Sequence, residues 1–258
     1  MSINAEKAVE TLNPKGKGPV VILCEHASNH IPERYGDLGL SAQDRLSHAA
    51  WDPGAREISL RLSKALDAPV VASCVSRLVY DCNRPPNSPD AMRYQSEQIA
   101  IPGNRNLSVA DRAERVNTVY QPFCDAVDQV LEARKSRGQP SLIVTIHSFT
   151  RVFFDKPRAV EIGILHDRDS RLADVMLEQA RALPHRKVMR NEPYGPEDGV
   201  THSLVIHALS RGLANVMIEI RNDLLTDTAG LGKLADELLT LLAPALVAES
   251  MTEPAPSA

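Results

Sequence analysis

The stretch Pro19-Val-Val-Ile-Leu-Cys-Glu-His-Ala-Ser-Asn-His-Ile-Pro32 decides the fold. It begins with the apolar, β-branched run Val20 to Leu23, which is typical of a strand buried on both faces. The run then breaks into polar residues that include His26 and His30. A histidine that directly follows a buried strand lies at the carboxyl edge of an open α/β sheet, where ligands bind. A capped turn that holds His26 by a hydrogen bond explains the same stretch equally well.

Strand and helix patterns alternate along the chain. Apolar runs predict further strands at Pro69 to Val75, Ser141 to Ile146, Ala159 to Leu165 and Ala214 to Ile220. Helical patterns cover Trp51 to Leu66, Ser108 to Lys135, Asp169 to Leu183, Thr201 to Arg211 and a last segment ending near Val247. This order predicts a single α/β domain over residues 19–247, with a mostly parallel sheet flanked by helices. Residues 1–18 are predicted to be a flexible lead-in, and residues 248–258 a disordered tail.

The composition argues against several classes of partner. The chain has 258 residues and a net charge of -4, without a block of like charge, so neither nucleic acid nor a membrane surface is indicated. No apolar run reaches the length of a membrane span, and the N-terminus lacks a signal-peptide core. The four scattered cysteines argue against a thiolate zinc site and are compatible with reduced thiols. We expect a cytoplasmic protein that acts on a small molecule, in an oligomeric state that the sequence leaves open.

Four polar residues lie at the ends of predicted strands or in the loops that follow: His26, Asp52, His147 and Glu219. Two histidines and an aspartate suit a catalytic zinc ion, which lowers the pKa of a water molecule. A nearby carboxylate can accept the proton of that water. Glu219 is the candidate base, because it ends an apolar run in which an unpaired carboxylate would be costly.

Each of these residues also has a structural interpretation. Asp52 stands directly before a proline, so capping of the following helix would explain it. His147 fits a turn after a strand. Glu57 is an alternative ligand, but it shares a polar helix face with Arg61 and Lys64, where a solvated ion pair is expected.

The segment Arg77-Leu-Val-Tyr-Asp81-Cys-Asn83-Arg84-Pro-Pro is a candidate anion-binding clamp. Arginine presents a planar fork that fits a carboxylate, and the two prolines stiffen the backbone. The segment opens a stretch to Arg105 without clear periodicity, and loops of that length are functional or disordered. An arginine-rich surface loop is the alternative.

Taken together, these segments resemble the N-formylglutamate amidohydrolase family. The matching pieces are His26-Ala-Ser-Asn-x-x-Pro32, Asp52-x-Gly54-Ala55, Ser76-Arg77-Leu-Val-x-Asp81-x-Asn83-Arg84-Pro-Pro, Thr145-Ile-His147-Ser148 and Glu219-Ile-Arg221-x-Asp223-Leu. They span nearly the whole chain in the expected order. The pattern is more distantly similar to zinc carboxypeptidases and aspartoacylase-like deacylases. The resemblance implies a zinc-dependent hydrolase on a phosphorylase/hydrolase-like α/β fold.

The resemblance also implies a substrate and roles for the site residues. The reaction would be hydrolysis of N-formyl-L-glutamate to formate and L-glutamate. One zinc ion would be held by His26, Asp52 and His147, and Glu219 would be the base that accepts a proton from water. The substrate carboxylates would be bound by cationic and amide side chains, namely Asn83 and Arg84, with Arg77, Arg151 and Arg221 as candidates for a second cation.

The chain departs from the carboxypeptidase pattern at one ligand. Those enzymes place a glutamate ligand three residues after the first histidine, and here that position is Asn29. Asp52 is the expected carboxylate ligand instead, with Glu25 and Glu57 as alternatives.

Two other functions are compatible with the sequence. The first is a metal-dependent deacylase or amidase for another N-acyl amino acid or a muropeptide, since Asp52-Pro-Gly-Ala and Ile-His147 are loosely similar to muramoyl-alanine amidases. The second is a non-catalytic, small-anion-binding relative. The presence of both histidines and Glu219 argues against this second function, because a degenerate site is expected to lose one of them.

Overall fold

Strands and helices alternate throughout residues 7–252, the part of the chain that the computed structural model describes. The strands are β1 (Val9–Leu12), β2 (Val20–Cys24), β3 (Val70–Ser73), β4 (Gln95–Ser96), β5 (Ile99–Ala100), β6 (Leu142–Phe149), β7 (Val152–Phe153), β8 (Lys156–Pro157), β9 (Ile162–Leu165), β10 (Val188–Arg190) and β11 (Asn215–Arg221). The α-helices are α1 (Ala42–Leu46), α2 (Ala55–Leu66), α3 (Val109–Arg115), α4 (Gln121–Lys135), α5 (Arg171–Gln179) and α6 (Thr228–Thr252). Short 3-10 and π segments join several of them.

Seven strands form one sheet in the order β1-β3-β2-β6-β11-β9-β10. The central neighbours β3, β2, β6 and β11 run parallel, and so do β9 and β10. Antiparallel pairing occurs between β11 and β9 and at the β1 edge. The predicted α/β fold with a mostly parallel sheet is confirmed.

Apolar side chains pack on both faces of the sheet. Successive residues of β2 point to opposite faces, so that Ile22 joins one core cluster and Leu23 the other. Helices α2, α5 and α6 cover the first face, and α4 covers the second, where Phe123 is fully buried. Burial on both faces explains why β2 reads as an uninterrupted apolar run.

The chain termini differ from the prediction. Strand β1 lies within the predicted lead-in and pairs with β3, with Leu12 opposite Val70. Its sequence, Val-Glu-Thr-Leu, is too short and too mixed to stand out as a strand. Helix α6 continues five residues beyond Val247, although Pro244 lies within it. Residues 1–6 of the predicted lead-in and residues 253–258 of the predicted tail lie outside the described residues.

The two central strands extend further than predicted at their carboxyl ends. Strand β6 continues three residues beyond Ile146, so His147 lies within the strand rather than in a turn after it. Strand β11 pairs with it so that Glu219 stands opposite His147. The longer strands therefore carry both side chains at the carboxyl edge of the sheet. Within residues 7–252, no helix has the length and apolar character that a membrane crossing requires.

Candidate active site

His26, Asp52 and His147 converge at the carboxyl edge of the sheet. His26 follows β2, Asp52 precedes α2, and His147 lies in β6; their side chains are at most 3% exposed. The Nδ1 atom of His26 lies 3.2 Å from Asp52 Oδ2, and Nδ1 of His147 lies 3.0 Å from the same oxygen. The two Nδ1 atoms are 3.2 Å apart. The sequence thus predicted a group that the fold assembles from three separate elements.

The turn after Asp52 directs its side chain toward the histidines. The residue that caps α2 is Gly54, in the left-handed conformation, so the Asp52 carboxylate does not cap this helix. Instead, Asp52 Oδ2 accepts a hydrogen bond from the backbone N–H of Ser148, and the backbone N–H of Asp52 donates to the carbonyl of His26. These contacts favour the ligand interpretation of Asp52 over the capping interpretation.

The spacing of the three side chains fits one metal ion. They form a group that could hold a metal ion, and its three facing atoms are 3.0 to 3.2 Å apart. Ligands that bind a tetrahedral zinc at 2.0–2.1 Å stand about 3.3 Å from one another. A cation also resolves the close approach of two imidazole nitrogens, because it accepts the lone pair of each.

Each histidine faces a second carboxylate with its other ring nitrogen. His26 Nε2 lies 2.7 Å from Asp81 Oδ1, and His147 Nε2 lies 3.2 Å from Glu25 Oε2. A carboxylate in this position fixes the orientation of an imidazole and leaves Nδ1 available to a metal. Glu25 therefore supports a candidate ligand, and among the described residues neither it nor Glu57 belongs to the converging group.

Glu219 stands opposite His147 on the neighbouring strand β11. It is 5% exposed, and its Oε2 atom has no hydrogen-bond partner among residues 7–252. Burial raises its pKa to about 7, although His147 opposes the shift. A buried carboxyl group with a near-neutral pKa is suited to accept and return protons.

Compensating charges surround the other buried ionisable groups. Burial disfavours the charged forms of Asp52 and Asp81, but His26 and Arg77 outweigh it and hold both pKa values well below the usual range. Burial likewise opposes a charged His147, but Glu25, Asp52 and Glu219 together outweigh it and raise the pKa of this histidine well above its usual value. The site therefore holds its charges as paired groups, as buried ions require.

The members of the predicted clamp differ in what they contact. Arg77 donates hydrogen bonds to Asp52 Oδ1 at 3.2 Å and Asp81 Oδ2 at 3.0 Å, so it braces the carboxylates around His26. The Asn83 side chain donates to the carbonyl of Val200 and accepts from the N–H of Ser203. Asn83 therefore ties this segment to the chain around residue 200.

Arg84 keeps part of its guanidinium available to the site. Its Nη1 donates to the carbonyls of Asn83 and Gly199 at 2.9 and 2.8 Å, and the residue lines the cavity in front of the cluster. The cavity has a volume of about 310 Å³, near the lower limit for small-molecule pockets. Its size suits a small substrate, and Arg84 in its lining suits an anionic group on that substrate.

Two predicted substrate-binding arginines lie outside this cavity lining. Arg151 is solvent-exposed, and Arg221 is turned away to Asp223 Oδ1 at 2.7 Å and toward Glu161 at 3.5 Å. That either of them supplies the second cation stays a prediction, which this placement does not support. Arg93 lines the cavity instead. Arg93 lies in the stretch without clear periodicity that follows the clamp. In such a stretch only the residue type, and no pattern, could have indicated a role in the site.

His48 and Tyr194 are further cavity residues that sequence reasoning did not select. Burial lowers the pKa of His48 to about 4, so its imidazole is neutral near pH 7, and its Nδ1 lies 3.5 Å from Asp52 Oδ1. His48 follows no predicted strand, so the signal that selected His26 and His147 did not apply to it.

Two small hairpins form part of the cavity wall. Hairpin β4–β5 contributes Ser96, and hairpin β7–β8 contributes Phe153. They touch where the backbone N–H of Phe154 donates to Glu97 Oε2 at 3.3 Å. The stretch from Arg77 to Arg105, which has no clear sequence periodicity, thus forms an ordered wall of the site.

Comparisons with known proteins identify the family of this chain. A family model described as N-formylglutamate amidohydrolase matches residues 18–226, which include all three candidate ligands, the clamp and Glu219. The solved structure of gene product Atu2144 from Agrobacterium tumefaciens is 50% identical, with a TM-score of 0.94 over 97% of this chain and 99% of that chain.

A second solved structure shares the fold at lower identity. It is N-formylglutamate amidohydrolase from Ralstonia eutropha JMP134, which is 20% identical with a TM-score of 0.71 over 95% of this chain and 99% of that chain. No curated protein sequence gave a match. The family match covers most of the chain, and the protein therefore belongs to the N-formylglutamate amidohydrolase family.

Proposed function

We propose that the protein hydrolyses N-formyl-L-glutamate to formate and L-glutamate, with one zinc ion held by His26, Asp52 and His147. The observation that carries this proposal is the buried group of two imidazole nitrogens and one carboxylate oxygen, with Glu219 on the neighbouring strand. The family match supports the amidohydrolase class, and the donor set suits zinc.

Glu219 would carry the proton through the reaction. When bound, zinc supplies a Lewis acid that polarises the formyl carbonyl and lowers the pKa of a water molecule. Glu219 accepts a proton from the attacking water and returns it to the amide nitrogen as the C–N bond breaks. The water oxygen leaves in formate, and the nitrogen leaves as the amino group of glutamate. In the metal-free site, burial raises the pKa of Glu219 to about 7, so this carboxyl group can hold a proton near neutral pH.

Arg84 would bind the α-carboxylate of the substrate through its unoccupied N–H groups, with Asn83 holding the backbone beside it. Arg77 keeps Asp52 and Asp81 charged and in position. The cavity volume of about 310 Å³ favours a free N-acyl amino acid over a muropeptide. A cytoplasmic location is part of this proposal, and the four unpaired cysteines support it.

Metal analysis and formate release test the proposal together. We expect about one zinc per chain, with formate release from N-formyl-L-glutamate lost on chelation and restored by zinc. The matched measurement uses N-acetyl-L-glutamate and a muropeptide under the same conditions. Both are expected to react more slowly. The acetyl group of the first is larger than a formyl group, and the muropeptide is too large for the cavity.

Each other outcome changes a specific part of the proposal. Bound metal without formate release would retain a hydrolase and reject the formyl substrate. Faster release of acetate than of formate would assign the protein to another N-acyl amino acid. Neither metal nor activity after addition of zinc would reject catalysis and leave the small-anion-binding relative.

A further inference from the structure

Arg93 presents a cation to the cavity without a protein partner. Its side chain is partly buried and lines the same cavity as His26, Arg84 and Glu219. No residue within 7–252 accepts a hydrogen bond from the Arg93 guanidinium or forms an ion pair with it. By contrast, Arg77 is paired with two aspartates, and Arg84 is partly occupied by carbonyls. A partly desolvated guanidinium without an acceptor is costly unless a ligand supplies one.

The backbone that carries Arg93 is held firmly. The carbonyl of Arg93 accepts a hydrogen bond from Asn104 Nδ2 at 2.8 Å, and the same amide donates to the carbonyl of Leu78 at 2.7 Å. The guanidinium of Arg115 donates to Asn104 Oδ1 at 2.7 Å. Asn104 is 5% exposed, so these bonds are made away from water. Arg93 is therefore positioned by a buried network and is not a chance feature of a surface loop.

The local charges favour an anion beside Arg93. Burial and the positive charges of Arg77 and Arg84 lower the pKa of Arg93, which Asp81 and Asp90 offset in part. Three guanidinium groups thus face one small cavity, and a carboxylate placed among them would be stabilised by all three.

The acidic residues of the cavity wall do not serve as partners of Arg93. Glu97 accepts the N–H of Phe154, and Asp198 accepts the N–H of Gly195. Asp90 is solvent-exposed and forms no ion pair with Arg93 within residues 7–252. The cation is therefore available to a ligand.

We propose that Arg93 binds the side-chain carboxylate of a dicarboxylate substrate and so selects N-formyl-glutamate over neutral N-formyl amino acids. This assignment rests on the proposed function and replaces Arg151 and Arg221 as the second cation. Arg84 and Arg93 divide the two carboxylates between them, each with the planar donor fork that suits a carboxylate. A substrate with a neutral side chain leaves Arg93 unpaired, and sites of this kind discriminate strongly against such analogues.

The test compares two substrates that differ in one charge. We would measure kcat/KM for N-formyl-L-glutamate and N-formyl-L-glutamine with the zinc-loaded wild type and Arg93→Gln. Removal of the cation is expected to lower kcat/KM for the glutamate substrate by about 10- to 100-fold, mainly through KM, because a hydrogen-bonded charge pair is lost. The value for the glutamine substrate should stay nearly constant or rise. Arg93→Lys should restore part of the preference, since it restores the charge without the fork.

A matched variant controls for loss of positive charge in the same segment. Arg105 is exposed and lies outside this cavity lining, so Arg105→Gln should leave both substrates unaffected. Zinc content and melting temperature of each variant report whether the site is intact.

Two different failures can be told apart. An equal loss on both substrates, or no loss on either, in a variant that retains zinc would overturn the role of Arg93 alone. A wild type that releases formate from neither substrate would overturn the proposed function, and the role of Arg93 with it.

Discussion

At the scale of single residues, Glu219 differs from Asp52 and Asp81 in its partners. Asp52 and Asp81 accept hydrogen bonds from Arg77, whereas Glu219 Oε2 accepts none within residues 7–252. Its pKa is accordingly raised by burial while theirs are lowered. The difference separates a carboxylate that can exchange a proton from two that remain charged.

Replacement of this carboxyl group tests its role directly. We expect Glu219→Gln to lower kcat for formate release by about 10²- to 10⁴-fold, because a positioned base contributes that much to proton transfer. Zinc content should be unchanged, since Glu219 is outside the converging group. Glu178→Gln on the exposed face of α5 is the control for loss of a carboxylate. Near-normal turnover of the Glu219 variant would contradict the assignment.

Single residues were predictable where a polar side chain ends an apolar strand. That signal located His26, His147 and Glu219, since burial makes a polar residue at such a place conspicuous. The same reasoning could not assign Glu25, because its role depends on which ring nitrogen of a distant histidine it faces. Nor could it select Arg93, whose importance depends on the absence of a partner in three dimensions.

At the scale of elements, the turn into α2 couples helix packing to the site. Gly54 has a φ of 84°, and a Cβ atom at this position would lie 2.5 Å from Leu225 Cβ. The residue stands two positions after Asp52, whose carboxylate faces the histidines. The close approach of this turn to Leu225 therefore fixes where Asp52 points.

An alanine at this turn should be destabilising for two separate reasons. Gly54→Ala adds the cost of a left-handed conformation, about 1–2 kcal/mol, and an overpacking cost of about 1–3 kcal/mol against Leu225. Gly212→Ala is the matched control, because Gly212 is also left-handed, with a φ of 68°, but has open space around it. Urea unfolding of both variants measures the difference. Equal losses of unfolding free energy would show that contact with Leu225 carries no cost.

Element types were easier to predict than element ends. The long apolar strands and amphipathic helices follow from periodicity. Strand β6 extends through His147 and Ser148 because β11 continues to pair with it, and a hydropathy pattern does not reveal this pairing. Strand β1 forms because it pairs along the edge of β3. Its sequence alone does not indicate this, since Leu12 and its partner Val70 are nearly sixty residues apart in the chain.

At the scale of the whole molecule, sheet order brings the site together. The strands that carry or precede His26, His147 and Glu219 are β2, β6 and β11, which are direct neighbours in the sheet although they are far apart in the chain. The sequence indicated that these residues lie at the carboxyl edge. It could not give the order of the strands, since many orders satisfy the same alternation.

Burial of Glu219 should make the stability of the metal-free protein depend on pH. Its pKa is raised from 4.5 to about 7, so the stabilising contribution of the protonated form is complete below pH 4.5 and is lost as pH rises through about 7. In chelator, we expect the melting temperature of wild type to fall relative to that of Glu219→Gln between about pH 5 and about pH 8.

The comparison with Glu219→Gln isolates this group from opposing ones. Burial lowers the pKa of His48 and of His207 to about 4, so their contributions are lost as pH falls below 6.5, in wild type and variant alike. Zinc should reduce the pH-dependent difference, because a nearby cation lowers the pKa of a carboxyl group. Parallel melting curves across this range would contradict the raised pKa of Glu219.

The position of the three candidate ligands beneath the cavity has a consequence for the order of binding. Their side chains are at most 3% exposed, and the far nitrogens of both imidazoles face carboxylates, so an ion reaches Nδ1 from the cavity. The substrate would occupy that same space. Ion and substrate would therefore bind in a compulsory sequence, ion first, and a molecule seated above the ion would delay its escape to a chelator.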